Sequence, residues 1–334
     1  MTEQTKKGKP VKDTDYLFLS ALLRAREPKL LSREKAERML AGSAQEALRL
    51  LESCGYEDVQ TAGLEAALGR RRAQTFQELE QLAPKTGIVA LFRMRYDYHN
   101  AKTIIKAEAS GHSMEGITSE AGRVSAQALK DAYESGESGS VPQPLLQAMA
   151  QARDVLSRTS DPQLADMILD RAYYAEYAQA ARQTGSVFLE GYAALSADCA
   201  NLRAAVRARR MQKDAAFLRE VLAEGGSVPA EAICQALQQQ EPFAPLFGKT
   251  TLFDAAQAGD ASQDGSLTQF ERQCDETLMA YLAAAKQIVF GEQVLVAYLC
   301  ALETEISAAR MIVNGLQAGI PADTIRTRLR RLYM

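Results

Sequence analysis

Tryptophan is absent from this 334-residue chain, and histidine occurs only twice, as His99 and His112. No apolar run approaches the roughly 20 residues that a membrane-crossing helix needs. The five cysteines, Cys54, Cys199, Cys234, Cys274 and Cys300, stand far apart with no CxxC pair. The usual His/Cys zinc spacings therefore cannot be assembled, and reduced, packed thiols are the expectation. An excess of one charge is also missing: 39 basic residues face 42 acidic ones, a net charge of −3. That balance excludes a nucleic-acid binder working by phosphate neutralisation and predicts no nucleic-acid partner. The start, Met1 to Lys12, is polar and has no apolar stretch of the signal-peptide kind, so a cytoplasmic location is expected.

What is present is an ordinary globular composition, 47% hydrophobic and 24% charged, enough to bury a substantial core. From Asp15 onward apolar residues recur at spacings of three and four, as in Leu19, Leu22, Leu23 and then Leu40, Ala47, Leu48, Leu51. Period-two alternation is missing over any useful length, so the chain reads as all-α. Loops fall where Gly, Ser and Asp collect, at 134–139, 225–226 and 258–265. Pro84 separates a helix ending near Leu82 from one beginning near Ile88.

One helical phrase occurs three times: an acid, four residues, a base, one residue, then an apolar pair. It runs from Asp97 through Lys102 to Ile104-Ile105, from Asp198 through Arg203 to Ala205-Val206, and from Glu305 through Arg310 to Ile312-Val313. Copies roughly a hundred residues apart divide the chain into thirds. Residues 101, 104, 105 align with 202, 205, 206 and with 309, 312, 313, which predicts one buried stripe per copy. A second phrase, a Gly-Pro break before a new helix, appears as Gly139-Ser-Val-Pro142, Gly226-Ser-Val-Pro229 and Gly319-Ile-Pro321. The expected division is a polar tail over 1–12 and three helical repeats over 13–130, 131–227 and 228–334.

An acid and a base five residues apart lie about 140° apart around a helix, so Asp97 and Lys102 cannot pair with each other. Lys102 with Lys106 and Arg203 with Arg207 stack like charges at i, i+4, which suits either a solvated face or acidic partners elsewhere. Lys102, Lys106, Arg203, Arg207 and Arg310, with Asp97, Asp198 and Glu305, are thus the candidates for partner binding or for bonds between domains. The basic ending Arg326-Thr-Arg328-Leu-Arg330-Arg331 is a further candidate electrostatic contact.

Catalytic motifs fail. Gly248-Lys-Thr250 resembles the end of a phosphate-binding loop, but Phe243 stands where its first Gly is required. Neither GxSxG nor GxGxxG occurs, and His99 sits two helical positions from Asp97, facing away from it. The stretch from Asp260 to Glu271 has the oxygen spacing of a calcium loop through Asp260, Ser262, Asp264 and Glu271. It is unpaired, however, and a cap at Ser266 explains its residues without a metal. No catalytic residue, cofactor or metal is expected.

The stretch Arg95-Tyr-Asp-Tyr-His-Asn-Ala-Lys-Thr-Ile-Ile-Lys106 and the ending from Glu303 through Gly319-Ile-Pro321 to Tyr333 resemble the C-type rotor component of prokaryotic V-type (A-type) ATPases. The eukaryotic counterpart of that family is AC39, also designated d. The similarity runs from about residue 15 to the end. Ala308 departs from it, standing where that phrase carries a polar residue. The resemblance implies three related helical domains in a pseudo-threefold funnel, and a non-catalytic subunit peripheral to the cytoplasmic face of the membrane. The funnel would receive the axle, made by the D and F subunits, and sit on the proteolipid ring, touching the membrane only through that ring. Ion transport, of H+ or Na+, would belong to the complex. The competing readings are a generic helical scaffold and a calcium-regulated adaptor built on the Asp260–Glu271 loop.

Overall fold

The computed structural model describes residues 11–111, 113–114, 117–262 and 266–334. His112, Asp264 and the first ten residues of the expected tail lie outside them. The described residues form helices and connecting turns with no strand, so the fold is all-α. Among them sixteen α-helices follow one another: α1 Leu17–Arg26, α2 Arg33–Ala41, α3 Ala44–Ser53, α4 Val59–Ala62, α5 Leu64–Leu82, α6 Ile88–Ser110, α7 Ala126–Ser135 and α8 Gln143–Thr159. The second half adds α9 Pro162–Thr184, α10 Val187–Arg210, α11 Ala215–Val221, α12 Ala230–Gln238, α13 Phe253–Ala261, α14 Thr268–Ala283, α15 Glu292–Gln317 and α16 Ala322–Arg328. The break expected at Pro84 falls between α5 and α6.

Each copy of the acid–base phrase lies within a helix of more than six turns: α6, α10 or α15. The predicted stripe is buried in all three, with Ala101, Ile104, Ile105, Leu202, Ala205, Val206, Ala309, Ile312 and Val313 at most 3% exposed. Removing such side chains from water drives the packing, at about 25 cal/mol per Å² of apolar surface. The three helices share one core along their N-terminal portions, where Val89, Phe92, Leu189, Ala193, Leu295 and Leu299 belong to a single cluster. Further along they part. The α10 residues from Leu195 onward join a cluster that runs to Cys274. The α15 residues from Leu302 onward join one that also takes in Leu31 to Leu68 near the start of the chain.

Helix starts follow local chemistry. Ser32, Ser43, Ser125, Ser186 and Asp214 each accept a bond from an amide in the first turn of the helix they precede, satisfying a donor that the helix itself leaves free. Pro142, Pro229 and Pro321 hold the cap position one residue ahead of α8, α12 and α16, with φ of −58°, −61° and −56°. They sit one residue earlier than the first-turn placement that sequence chemistry suggests. The cap expected at Ser266 is similarly displaced: Leu267 occupies that place, and the Ser266 hydroxyl accepts the Thr268 amide at 3.1 Å.

Candidate partner-binding site

The three repeated acids point inward. Asp97 is fully buried, while Asp198 is 2% and Glu305 1% exposed. Asp97 accepts the Val124 amide at 3.2 Å and the Arg123 guanidinium at 2.5 Å. Asp198 accepts the Ser227 amide at 3.0 Å, the Ser227 hydroxyl at 2.5 Å and the Val228 amide at 3.1 Å. Glu305 accepts the Leu31 amide and the Tyr56 hydroxyl. Val124, Val228 and Leu31 therefore play one role, each just ahead of a helix whose cap is Ser125, Pro229 or Ser32. Burial pushes the Asp97 carboxyl pKa up, against the pull of Arg123 and the Val124 amide. Burial also raises Glu305, against Tyr56 and Leu31, and sends the Tyr56 phenol well above its ordinary value.

A glycine makes room for two of these carboxylates. A Cβ on Gly122 would lie 2.5 Å from an Asp97 oxygen, and one on Gly226 would lie 2.3 Å from an Asp198 oxygen. An asparagine one helical turn beyond each Asp completes the clamp. The Asn100 side chain donates to the Ser119 carbonyl and accepts its amide, both at 2.8 Å. Asn201 does the same to Ala223 at 2.9 and 2.7 Å. The structural counterpart of Gly226-Ser-Val-Pro229 is thus Gly122-Arg-Val-Ser125. Gly139-Ser-Val-Pro142, the match seen in the sequence, only starts α8.

The repeated bases point across to neighbouring helices. Lys102 pairs with Asp170 and Lys106 with Asp166, both on α9 and both at 2.6 Å. Arg203 pairs with Glu271 and Asp275 on α14, each at 2.7 Å, and Arg207 with Glu271 at 2.6 Å. Arg310 grips Glu65 on α5 through two 2.7 Å bonds, which hold the Glu65 carboxyl below its usual pKa. Each acid-bearing helix is the one leading into the next long helix: α9 into α10, α14 into α15 and α5 into α6. The C-terminal Arg330 reaches the same Asp275, and Arg326 bonds Glu37 at 2.9 Å and also Asp323.

The calcium-loop look-alike is engaged by protein groups. Asp260, in the last turn of α13, accepts Arg209 at 2.8 Å with the Phe243 and Ala244 amides at 2.9 and 2.8 Å. Glu271 is taken by Arg203 and Arg207. The Ser262 hydroxyl donates back to the Ala258 carbonyl. Among the described residues no three His, Cys, Asp or Glu side chains gather as metal ligands.

Between the long helices lies a cavity of about 650 Å³. The residue two places before each acid, namely Arg95, Ser196 and Glu303, lines it from α6, α10 and α15 in turn. Lys102 and Arg203 border it with their partners Asp170 and Asp275, and six of the twelve tyrosines, Tyr96, Tyr98, Tyr173, Tyr174, Tyr177 and Tyr192, supply much of the wall. Arg310 is not among the lining residues, though its neighbour Met311 is. Arg95 and the tyrosines escaped sequence reasoning. The clustering of Tyr96-Asp-Tyr98 and Tyr173-Tyr174-x-x-Tyr177 on helical faces is the only signal that could have pointed to them.

A helical chain in which one long helix recurs three times about a shared cavity, with the acids and bases of its repeated phrase consumed by internal bonds, has the character of a structural subunit. Comparison with known proteins makes this specific. The family described as ATP synthase (C/AC39) subunit matches residues 19–328, so the chain belongs to that family. It is 26% identical to the C subunit of the V-type sodium ATPase of Enterococcus hirae, over 96% of this chain and 99% of that one. To the C subunit of the V-type ATP synthase of Thermus thermophilus it is 28% identical, over 61% of this chain and 67% of the relative. The C subunit of the A-type ATP synthase of Haloferax volcanii is 26% identical over 93% and 96%. The chain is therefore a structural rather than a catalytic subunit of a V/A-type ATPase complex.

Proposed function

We propose that this chain is the socket of the central stalk, coupling the D/F axle to the membrane proteolipid ring so that ATP hydrolysis or synthesis is linked to H+ or Na+ movement. The observation that carries this reading is the column Arg95, Ser196 and Glu303: equivalent positions of three repeated helices converge on one cavity. A pseudo-threefold funnel places such a cavity on its axis, where a rotating shaft has to be gripped. Lys102, Arg203 and Arg310, tied to acids on the helices between the long ones, stiffen the wall so that torque is transmitted without shear. The repeats drawn at 13–130, 131–227 and 228–334 are joined in this scheme, because residues 31–68 close the wall around α15. Attachment on the cytoplasmic face then runs through the ring, in keeping with the finding that no described helix is long and apolar enough to cross a membrane. Membranes washed at low salt and solubilised should yield this chain together with an axle subunit and the proteolipid ring. Recovery solely as a free monomer would overturn the reading.

A further inference from the structure

The charges that line the cavity are not fully matched. Of its bases, Lys102 is held by Asp170, while Arg203 and Arg330 converge on Asp275. Its third carboxylate, Glu303, is taken from behind by Arg72 at 3.1 Å. Arg95 is left over. It is exposed to the cavity and makes no ion pair within 4 Å with any described residue. Its guanidinium carbon lies 5.7 Å from the centre of the Tyr96 ring, whose position is also set by Arg72 at 4.8 Å. A guanidinium stays protonated under all ordinary conditions. Confined among aromatic walls, it has partly lost its water, and the Glu303 carboxylate whose field it feels is already tied to Arg72, an arrangement that an incoming anion relieves.

The volume suits a folded segment. A helix about 10 Å across rising 1.5 Å per residue fills the ~650 Å³ cavity with roughly one and a half turns. Tyrosine walls provide broad, rigid contact with little loss of side-chain freedom, as they do in other recognition surfaces.

Resting on the socket reading above, we infer that Arg95 is the recognition cation of the cavity, and that the tip of the axle inserts a helix end whose carboxylate side chain pairs with it. The geometry adds a directional cue to an otherwise threefold site. Of the three equivalent positions, Arg95 alone offers a free positive charge, Ser196 is neutral, and Glu303 is already engaged. A shaft carrying one acid at its tip therefore has one favoured angular setting instead of three.

The test measures affinity of the purified D/F axle for the full-length chain, wild type and variants, over a range of salt concentrations. Arg95→Gln should weaken binding at least about tenfold and flatten the salt dependence, because an ion pair enclosed in an interface is lost. Arg95→Lys should restore most of the affinity. Val187→Ala, at the exposed start of α10 and outside the cavity lining, should change it by less than about twofold. Thermal unfolding midpoints should move little across the set, since Arg95 makes no side-chain hydrogen bond or ion pair within 4 Å with any described residue and has only the longer contact with the Tyr96 ring to lose. Equal axle affinity and equal salt slope for wild type and Arg95→Gln would overturn the role of Arg95 while leaving the socket intact. A wild-type chain that does not bind the axle would overturn the socket reading itself.

Discussion

The clamp at Asp198 and the clamp at Glu305 solve one problem in two ways. Asp198 on α10 holds a loop 30 residues further along the chain, with Asn201 gripping the same loop at Ala223. Glu305 on α15 holds Leu31, 274 residues earlier, and where the asparagine would stand there is Ala308. The first clamp is local and doubly tied; the second joins the two ends of the chain with one carboxylate. The difference teaches that the chain closes on itself: α15 takes its loop and its surrounding helices from the stretch 31–68. That closure also accounts for the Arg33 amide bonding the Met334 carbonyl, and for Arg326 reaching Glu37.

The largest expected effect comes from breaking either clamp at its acid. Asp198→Ala strands the amides of Ser227 and Val228 in a dry interior and should cost about 3 kcal/mol, read from urea unfolding. Glu305→Ala should cost a comparable amount. It should also speed hydrogen exchange at both ends of the chain together, whereas Asp198→Ala should loosen only the region from α10 to α12. Equal exchange patterns for the two variants would contradict this closure.

Next comes the second tie. Asn201→Ala leaves the Ala223 amide and carbonyl without partners and should cost about 2 kcal/mol in the same assay. A loss no larger than that of a surface substitution would mean the asparagine is dispensable, and the contrast with Ala308 would lose its meaning. The paired bases rank lower, and their exposure sets their order. Arg203, 21% exposed and bonded to two acids, should cost about 1 kcal/mol on replacement by Ala; Arg310, 40% exposed and facing a 60% exposed Glu65, should cost no more than about 0.5 kcal/mol.

The smallest effect lies in pH. Burial raises the Glu305 carboxyl in the folded chain, so the stability this group contributes is full below its ordinary value of 4.5 and is lost as pH rises through its folded pKa. The stability of the wild type relative to Glu305→Gln should therefore fall as pH is taken from about 4 to 7. A difference that grows over that range would show the carboxylate, rather than the acid, to be the favoured buried form.

Much of this organisation was legible in the sequence, for physical reasons. A buried stripe at i, i+3, i+4 must be apolar wherever it recurs, so Ile104-Ile105, Ala205-Val206 and Ile312-Val313 advertise themselves. Five-residue spacing forces Asp97 and Lys102 onto different faces, and their partners do lie elsewhere, on Arg123 and Asp170. The Gly-Ser-Val-Pro words misled because they mark any helix start, and only the copy at 226–229 faces a buried acid. The real invariant is spatial: a backbone amide just ahead of a helix cap, at Val124, Val228 and Leu31, with a glycine making room for the carboxylate at Gly122 and Gly226. Beyond the clustered tyrosines at 96–98 and 173–177, nothing local could announce that α6, α9 and α10 bring them to one cavity, or reveal that Arg95 alone among its bases makes no ion pair with a described residue.

The central claim is that the space between α6, α10 and α15 grips the axle. Ser307 lines that cavity from α15 and is exposed to it, whereas Val187, 83% exposed at the start of α10, lies outside the cavity lining. A photo-activatable side chain placed at each position in turn, in a reconstituted rotor, asks which one meets the shaft. Cross-links to an axle subunit from position 307 and none from position 187 are the predicted result. Axle cross-links from 187 with none from 307, in a rotor that still assembles, would contradict the account.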